Sequence, residues 1–321
     1  MAEANVQIEG LTKHFEQITA VEDLSLEIEE AEIFGLIGSD GAGKTTTLRL
    51  ICGLLEPDEG SISVAGVSVS EAPEEARRRL GYLPQEFGLH RDLSIDENIT
   101  YFADLFTQDL SGLSERRQEL LEATELADFA DRMAGDLSGG MKQKSALICA
   151  LIHRPEVLLL DEPTRGVDPD SRRDLWRIIY GLPADGVTVI VATPDADEAE
   201  RCDRLGVISA GSIVETAAPA EIIDRSVARI LEIALDDRRR AQDMLRELEG
   251  LIAVSVVGRG VRVNIDADGP DVDDLTAMLE DEDHEVFEAE QVEPRLGDAL
   301  LVLEERKMSE HVEHGEHERQ R

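Results

Sequence analysis

The sequence predicts an α/β protein built on a parallel sheet, followed by a smaller α+β unit. Three observations predict this. The apolar runs Ile33–Ile37, Val157–Leu160 and Val187–Ala192 have the length and composition of strands buried on both faces. Helical patterns alternate with them, as in strand–helix–strand folds. Near Asp224 the order then changes to strand, helix, strand, strand, helix, strand.

The elements follow in chain order. Val6–Ile8, Leu24–Ile28 and Ser61–Val69 read as alternating strands, and Ile33–Ile37 leads into a glycine-rich turn and a helical pattern over Lys44–Cys52. Ser94–Ala134 is rich in Leu and Ala, helical in period and without a strand signal. Leu205–Ser209 and Ser212–Val214 flank a turn at Ala210-Gly211. The later strands are expected at Ile230–Leu235, Ile252–Val257, Val261–Ala267 and Glu285–Ala289, with helices at Asp237–Leu248 and Val272–Leu279. That βαββαβ order is ferredoxin-like. A last amphipathic helix is expected at Arg295–Glu305, and Ser309–Arg321 reads as a disordered acidic tail. The expected divisions are therefore 1–224, with a helical subdomain at about 88–136, then 225–308, then the tail at 309–321.

With 321 residues the chain has room for about two domains. Seventy Asp and Glu against 32 Lys and Arg leave a net charge of -38. Such a surface repels phosphate backbones, which argues against nucleic acid as a partner, and 3% aromatic content argues against a base-stacking platform. Only Lys13, Lys44, Lys142, Lys144 and Lys307 are lysines. Many carboxylates and few lysines suit a cytoplasm full of salt, as in halophilic archaea, because at molar salt the Debye length falls to about 3 Å and self-repulsion fades. Cys52, Cys149 and Cys202 are expected to be buried small hydrophobes in a reducing compartment. The N-terminal residues show no secretory pattern and no apolar run reaches bilayer length, so a soluble, cytoplasmic chain is expected, with any membrane crossing left to another chain.

Gly38-Ser39-Asp40-Gly41-Ala42-Gly43-Lys44-Thr45 sits between an expected strand and an expected helix, the context a phosphate-binding loop requires. Glycines let successive N–H groups converge on a β-phosphate, and the helix directs its positive end there. Lys44 is placed to neutralise β- and γ-phosphate oxygens, and the Thr45 hydroxyl to ligate Mg²⁺. Leu158-Leu159-Leu160-Asp161-Glu162 ends a buried strand in two carboxylates, Asp161 suited to Mg²⁺ and Glu162 to polarising an attacking water. Leu137-Ser138-Gly139-Gly140-Met141-Lys142-Gln143 starts a further helix and can present N–H groups to an anion.

These motifs, together with Gln85 in Tyr82-Leu83-Pro84-Gln85 and with Gly166-Val167-Asp168, stand in the order and spacing of an ABC transporter's nucleotide-binding subunit. Residues from about 4 to 222 resemble that family. The resemblance implies a P-loop NTPase fold of ABC type with a helical subdomain, binding ATP and Mg²⁺. Gly38, Ser39, Asp40, Gly41, Ala42, Gly43, Lys44, Thr45 and Thr46 would surround the phosphates. Phe15 would stack on adenine, where many members have tyrosine. Gln85 would contact Mg²⁺ and the lytic water, beside Thr45 and Asp161. Ser138, Gly139 and Gly140 would bind the γ-phosphate held by a second copy, and Asp168 would communicate across that head-to-tail dimer. Glu162, Lys44 and Gln85 would then be the catalytic set. Pro163-Thr164-Arg165-Gly166-Val167-Asp168-Pro169, the segment Asp197–Asp203 and the appended unit most resemble the multidrug exporter branch. Its membrane subunits are separate ABC-2-type permeases, which places the chain peripherally on the inner face of the cell membrane.

Two positions depart from the family. Pro194 stands where a histidine usually contacts the γ-phosphate, and proline offers neither side-chain donor nor N–H. Asp40 stands where asparagine is commoner. Slow, Glu162-dependent hydrolysis is expected, the alternatives being a catalytically weak nucleotide-sensing subunit or an ABC ATPase acting without a membrane partner. Arg77, Arg78 and Arg79 read as an exposed helix face, and Arg91 to Glu97 as the segment where the family docks its permease. His311, His314 and His317 read as solvated tail, and the C-terminal unit as a packing or dimerisation module.

Overall fold

The computed structural model describes residues 4–86, 88–106, 111–227, 229–246, 248–266 and 268–306. The expected tail at 309–321, with His311, His314 and His317, lies outside the described residues. The chain divides into two compact units, Met1–Ile213 and Val214–Arg321, so the division falls inside the Ser212–Ala217 strand, ahead of the change in element order.

The first unit holds two sheets. Ala4–Phe15 and Ile18–Glu29 are long antiparallel partners, and Glu59–Val64 pairs with the other side of Ala4–Phe15. The expected single strand Ser61–Val69 is a hairpin: Ala65 and Gly66 turn the chain with positive φ, and Val67–Ser68 pairs back on Glu59–Val64. The second sheet has six strands, in the order Ser212–Ala217, Arg204–Ser209, Ile33–Ile37, Thr188–Thr193, Val157–Asp161, Leu80–Leu83, and from Arg204–Ser209 onward every pair is parallel. Every residue of Ile33–Ile37, Val157–Asp161 and Thr188–Thr193 is buried, which explains why those segments read as unbroken apolar runs. The helix Lys44–Ile51 packs between the sheets, and Val6, Ile8, Phe34, Leu48, Leu159 and Ile190 share one core.

The middle of the unit is helical as expected, through Ile95–Phe106 and Leu113–Ala123, followed by single 3₁₀ turns at Ala127–Phe129 and Ala134–Asp136. Asn98 is fully buried there, and its side chain bonds to backbone groups of His90, Leu93 and Ser94, which ties the loop before the helix to the helix itself. Arg77 and Arg79 correct the expectation of an exposed basic face: both are half-buried, Arg77 reaching the Gly53 carbonyl and Arg79 bridging Glu75 and Glu156.

In the second unit Arg229–Leu235 and Gly260–Ile265 are central, flanked by Val286–Val292 and Leu251–Val257, with every neighbouring pair antiparallel. This is the ferredoxin-like strand order. Helices Arg238–Leu245 and Val272–Asp281 pack on one face over Leu231, Ile233, Val261, Val263 and Ile265. Alternation sends Arg262 and Asn264 to the other face, and both are buried. Arg262 pairs there with Asp298 at 2.9 Å, a residue of the closing helix that runs over 296–306.

Candidate active site

Parallel register decides where the motifs meet. Ile37 lies beside Thr193, and Asp161 beside Ala192, so the glycine-rich turn, the Asp161-Glu162 pair and the Thr193-Pro194 turn all leave the sheet at the same carboxyl edge. That edge is where open α/β sheets place their ligands.

In the loop, a Cβ on Gly38 would overlap the Ile208 carbonyl, so the first glycine is required by packing against the Arg204–Ser209 strand as well as by phosphate chemistry. Lys44 is buried and its Nζ donates to the carbonyls of Gly38 at 2.7 Å and Ser39 at 2.9 Å. Thr45 Oγ1 donates to Asp161 Oδ1 at 3.0 Å, joining residues 116 positions apart. The Tyr82 hydroxyl donates to Asp161 Oδ2 at 3.4 Å. Burial, and then the neighbouring Glu162 carboxylate, hold the Asp161 carboxyl above its usual range. The adjacent hydroxyl and carboxylate oxygens are hard donors of the kind Mg²⁺ accepts, and among the described residues no cluster of three or more His, Cys, Asp or Glu offers a closed metal cage. The site thus fits Mg²⁺ in its usual manner, through few protein oxygens with phosphates and water completing the shell.

Glu162 has φ 49°, the left-handed region, at a cost of about 1–2 kcal/mol for a residue with a Cβ. Its N–H donates to the Ala192 carbonyl at 2.8 Å, which holds the turn. Glu162 lines a cleft of about 340 Å³ with Asp40, Arg165, Thr193, Pro194 and Glu198. Arg165 Nη1 donates to Glu162 Oε2 at 2.9 Å. Glu198 is buried and accepts from Thr193 Oγ1 at 2.7 Å, and desolvation raises its carboxyl above the ordinary value. Sequence reasoning missed Tyr82, Arg165 and Glu198. The signal for Arg165 was available, three residues beyond Glu162 in a turn; for Tyr82 and Glu198 it lay in strand pairing and packing.

Ser138 caps the helix Gly139–Leu151, its hydroxyl accepting from the Met141 N–H at 3.3 Å. Gly140 is pressed against Ser171, so a Cβ there would clash, and Asp168 caps the next helix, Pro169–Ile179, by accepting from the Ser171 N–H at 3.0 Å. The structure therefore brings Gly140 to Asp168 and Thr45 to Asp161. It does not bring Ser138, Gly139 or Gln85 into the lining of the Glu162 cleft, among the described residues. Gln85 is exposed, two residues past the Leu80–Leu83 strand, and Phe15 is 42% exposed at the end of Ala4–Phe15. Burial raises the thiols of Cys52, Cys149 and Cys202 to about 12 each, so all three are inert packing groups.

A family model described as ABC transporter matches residues 21–165. The multidrug ABC transporter ATP-binding protein YbhF of Escherichia coli is 38% identical over 220 residues, which is 68% of this chain and 38% of that protein's length. The Nod factor export ATP-binding protein I of Burkholderia lata is 38% identical over 247 residues, 76% of this chain and 81% of the relative. Among solved structures, an ATP-binding subunit of an ABC transporter superposes with TM-score 0.64 at 28% identity, over 68% of this chain and 92% of the other. A dimeric ATP-binding cassette bound to ADP and Pi in a post-hydrolysis state gives 0.61 at 28% identity, over 66% and 98%.

Proposed function

The chain belongs to the family of ABC transporter ATP-binding proteins, ATPases coupled to transport, and on that premise we propose that it hydrolyses ATP to power a separate ABC-2-type permease, most plainly for export. The observation that carries the chemistry is the convergence of Lys44, Thr45, Asp161 and Glu162 on one sheet edge. Residues 1–224 are assigned to nucleotide work and 225–308 to an accessory role.

The residues divide the reaction between them. Backbone N–H groups of the loop and Lys44 bind the β- and γ-phosphates, and the lysine's charge offsets theirs. Thr45 and Asp161 would hold Mg²⁺, which supplies charge neutralisation at the transferring group. Glu162 orients the attacking water and takes its proton, while the water oxygen bonds to the γ-phosphorus and the bond to the bridging oxygen breaks with its electrons leaving on ADP. Ser138, Gly139 and Gly140 lie outside the Glu162 cleft, which supports a second copy supplying them in a head-to-tail dimer. An apolar hollow of about 250 Å³, lined among others by Leu54, Leu83, Pro84, Phe102 and His153, adjoins Gln85 in sequence and suits a permease segment. No described helix is long and apolar enough to cross a membrane, so a peripheral position beside that permease is part of the proposal.

The test is steady-state ATP turnover by the purified chain in molar KCl. Glu162→Gln is expected to lower kcat about 10²–10⁴-fold, the usual worth of a general base. Unchanged turnover in that variant overturns the catalytic assignment and favours a nucleotide-sensing subunit, the reading that Pro194 motivates. The net charge of -38 further predicts a melting temperature that climbs as KCl is raised.

A further inference from the structure

Pro194 forms part of the Glu162 cleft and carries no donor, so any cation on that side of the general base comes from elsewhere. Two guanidinium groups line the cleft, those of Arg165 and Arg172. Arg172 is engaged with Asp195 at 3.2 Å, whereas Arg165 is joined to Glu162 at 2.9 Å. Resting on the reading of Glu162 as the base, we infer that Arg165 is a positioning residue for hydrolysis: it fixes the Glu162 carboxylate in the cleft, with one oxygen tied and the other left to take the water's proton.

Three features carry this. The Glu162 side chain is 10% exposed and the Arg165 side chain 60% exposed, so the carboxylate is the enclosed partner and the arginine reaches in from the mouth. The pair sets a counter-charge beside that carboxylate, while the open cleft leaves it access to water. The two residues also share one tight turn, the Arg165 N–H donating to the Glu162 carbonyl at 3.1 Å, so their side chains rise from a common frame. Finally, the ion pair binds only Oε2 of Glu162, and a planar guanidinium holds a carboxylate in a set orientation better than a point charge does. The left-handed φ of 49° at Glu162 aims the side chain, and Arg165 keeps it aimed.

The experiment compares Arg165→Ala, Arg165→Lys and Glu162→Gln in the full chain. Arg165→Ala is expected to lower kcat about 10–100-fold, the scale of a misplaced catalytic group, with the KM for ATP held within about two-fold. Arg165→Lys is expected to recover part of that loss. Adding Arg165→Ala to Glu162→Gln should lower turnover no further, because the two act as one unit. A readout apart from turnover follows: with MgATP, Arg165→Ala is expected to accumulate an ATP-bound dimer by light scattering, and so is Glu162→Gln, since in the proposed head-to-tail dimer hydrolysis would part the copies. Parental kcat in Arg165→Ala, a raised KM with kcat kept, or a lysine variant no better than alanine would each overturn the inference. If Glu162→Gln itself retains parental turnover, the reading of the base fails instead. Should the alanine variant not fold, Arg165→Gln takes its place, and parental kcat in that variant overturns the inference equally.

Discussion

Each unit of the molecule encloses an arginine–carboxylate pair at 2.9 Å, and the two are put to opposite uses. In the second unit both Arg262 and Asp298 are sealed off, at 5% and 6% side-chain exposure, with Arg262 also bonded to the Glu293 carbonyl and Asp298 accepting from the Arg295 N–H. In the first unit Glu162 is enclosed, but Arg165 stands open to solvent and the pair faces a cleft. Distance alone does not separate a staple from a working pair. Access does: a pair sealed on both sides can only hold its helix to its sheet, while a pair open on one side can exchange partners when substrate arrives.

The largest test of this contrast is Arg262→Ala. It strands Asp298 as a buried lone charge, and the second unit is expected to lose about 3–5 kcal/mol, read as lost hydrogen-exchange protection along Gly260–Ile265 with Val157–Asp161 unaffected. Arg165→Ala, mostly exposed, is expected to cost under about 1 kcal/mol by the same measurement. Equal losses would erase the distinction. Replacing both members, as Arg262→Met with Asp298→Leu, is expected to fall within about 1 kcal/mol of the parent in denaturant melts, since an apolar pair satisfies a sealed site.

Gly38→Ala comes next. Its Cβ meets the Ile208 carbonyl, a backbone group with little room to move, and a loss of about 1–3 kcal/mol is expected in thermal melts without nucleotide. That result would show that the loop's glycine serves the fold before any ligand binds.

The smallest effect concerns pH. The Asp161 carboxyl is raised in the folded state, chiefly by burial, so its contribution to stability is complete below the ordinary value of 3.8 and is lost as pH rises through the raised one. Asp161→Asn cannot ionise and keeps an oxygen for Thr45. It is therefore expected to melt above the parent at pH 7 in molar KCl, with the gap closing as pH falls toward the carboxylate range, while ATP turnover is lost. A constant gap across pH would mean that shape and not charge separates the two.

Much of the site was legible in the residues because its chemistry is local. Eight consecutive residues make the phosphate loop, and Asp161-Glu162 ends an apolar run, so spacing and residue type identify both without distant information. The ferredoxin-like order was likewise readable, since period-2 and period-3.6 patterns alternate cleanly there. The hairpin at Ala65-Gly66 was not, because apolar and serine residues alternate on both sides of the turn and only a one-residue shift of phase, from Ile62 and Val64 to Val67 and Val69, marks it. Arg77 and Arg79 misled for a similar reason: their long stems lie on protein while their charges find carbonyls and carboxylates, which composition cannot show.

By itself the sequence determined where the glycine-rich loop lies, which carboxylates are available and that strands and helices alternate, because each depends on neighbours within a few residues. Only the tertiary structure decided that Thr45 meets Asp161, that the Glu162 turn lies beside Pro194 in one cleft, and that Arg262 is sealed against Asp298. Those pairings rest on the order and register of strands far apart in the chain, where the burial of whole sheets, summed over many residues, outweighs any local preference.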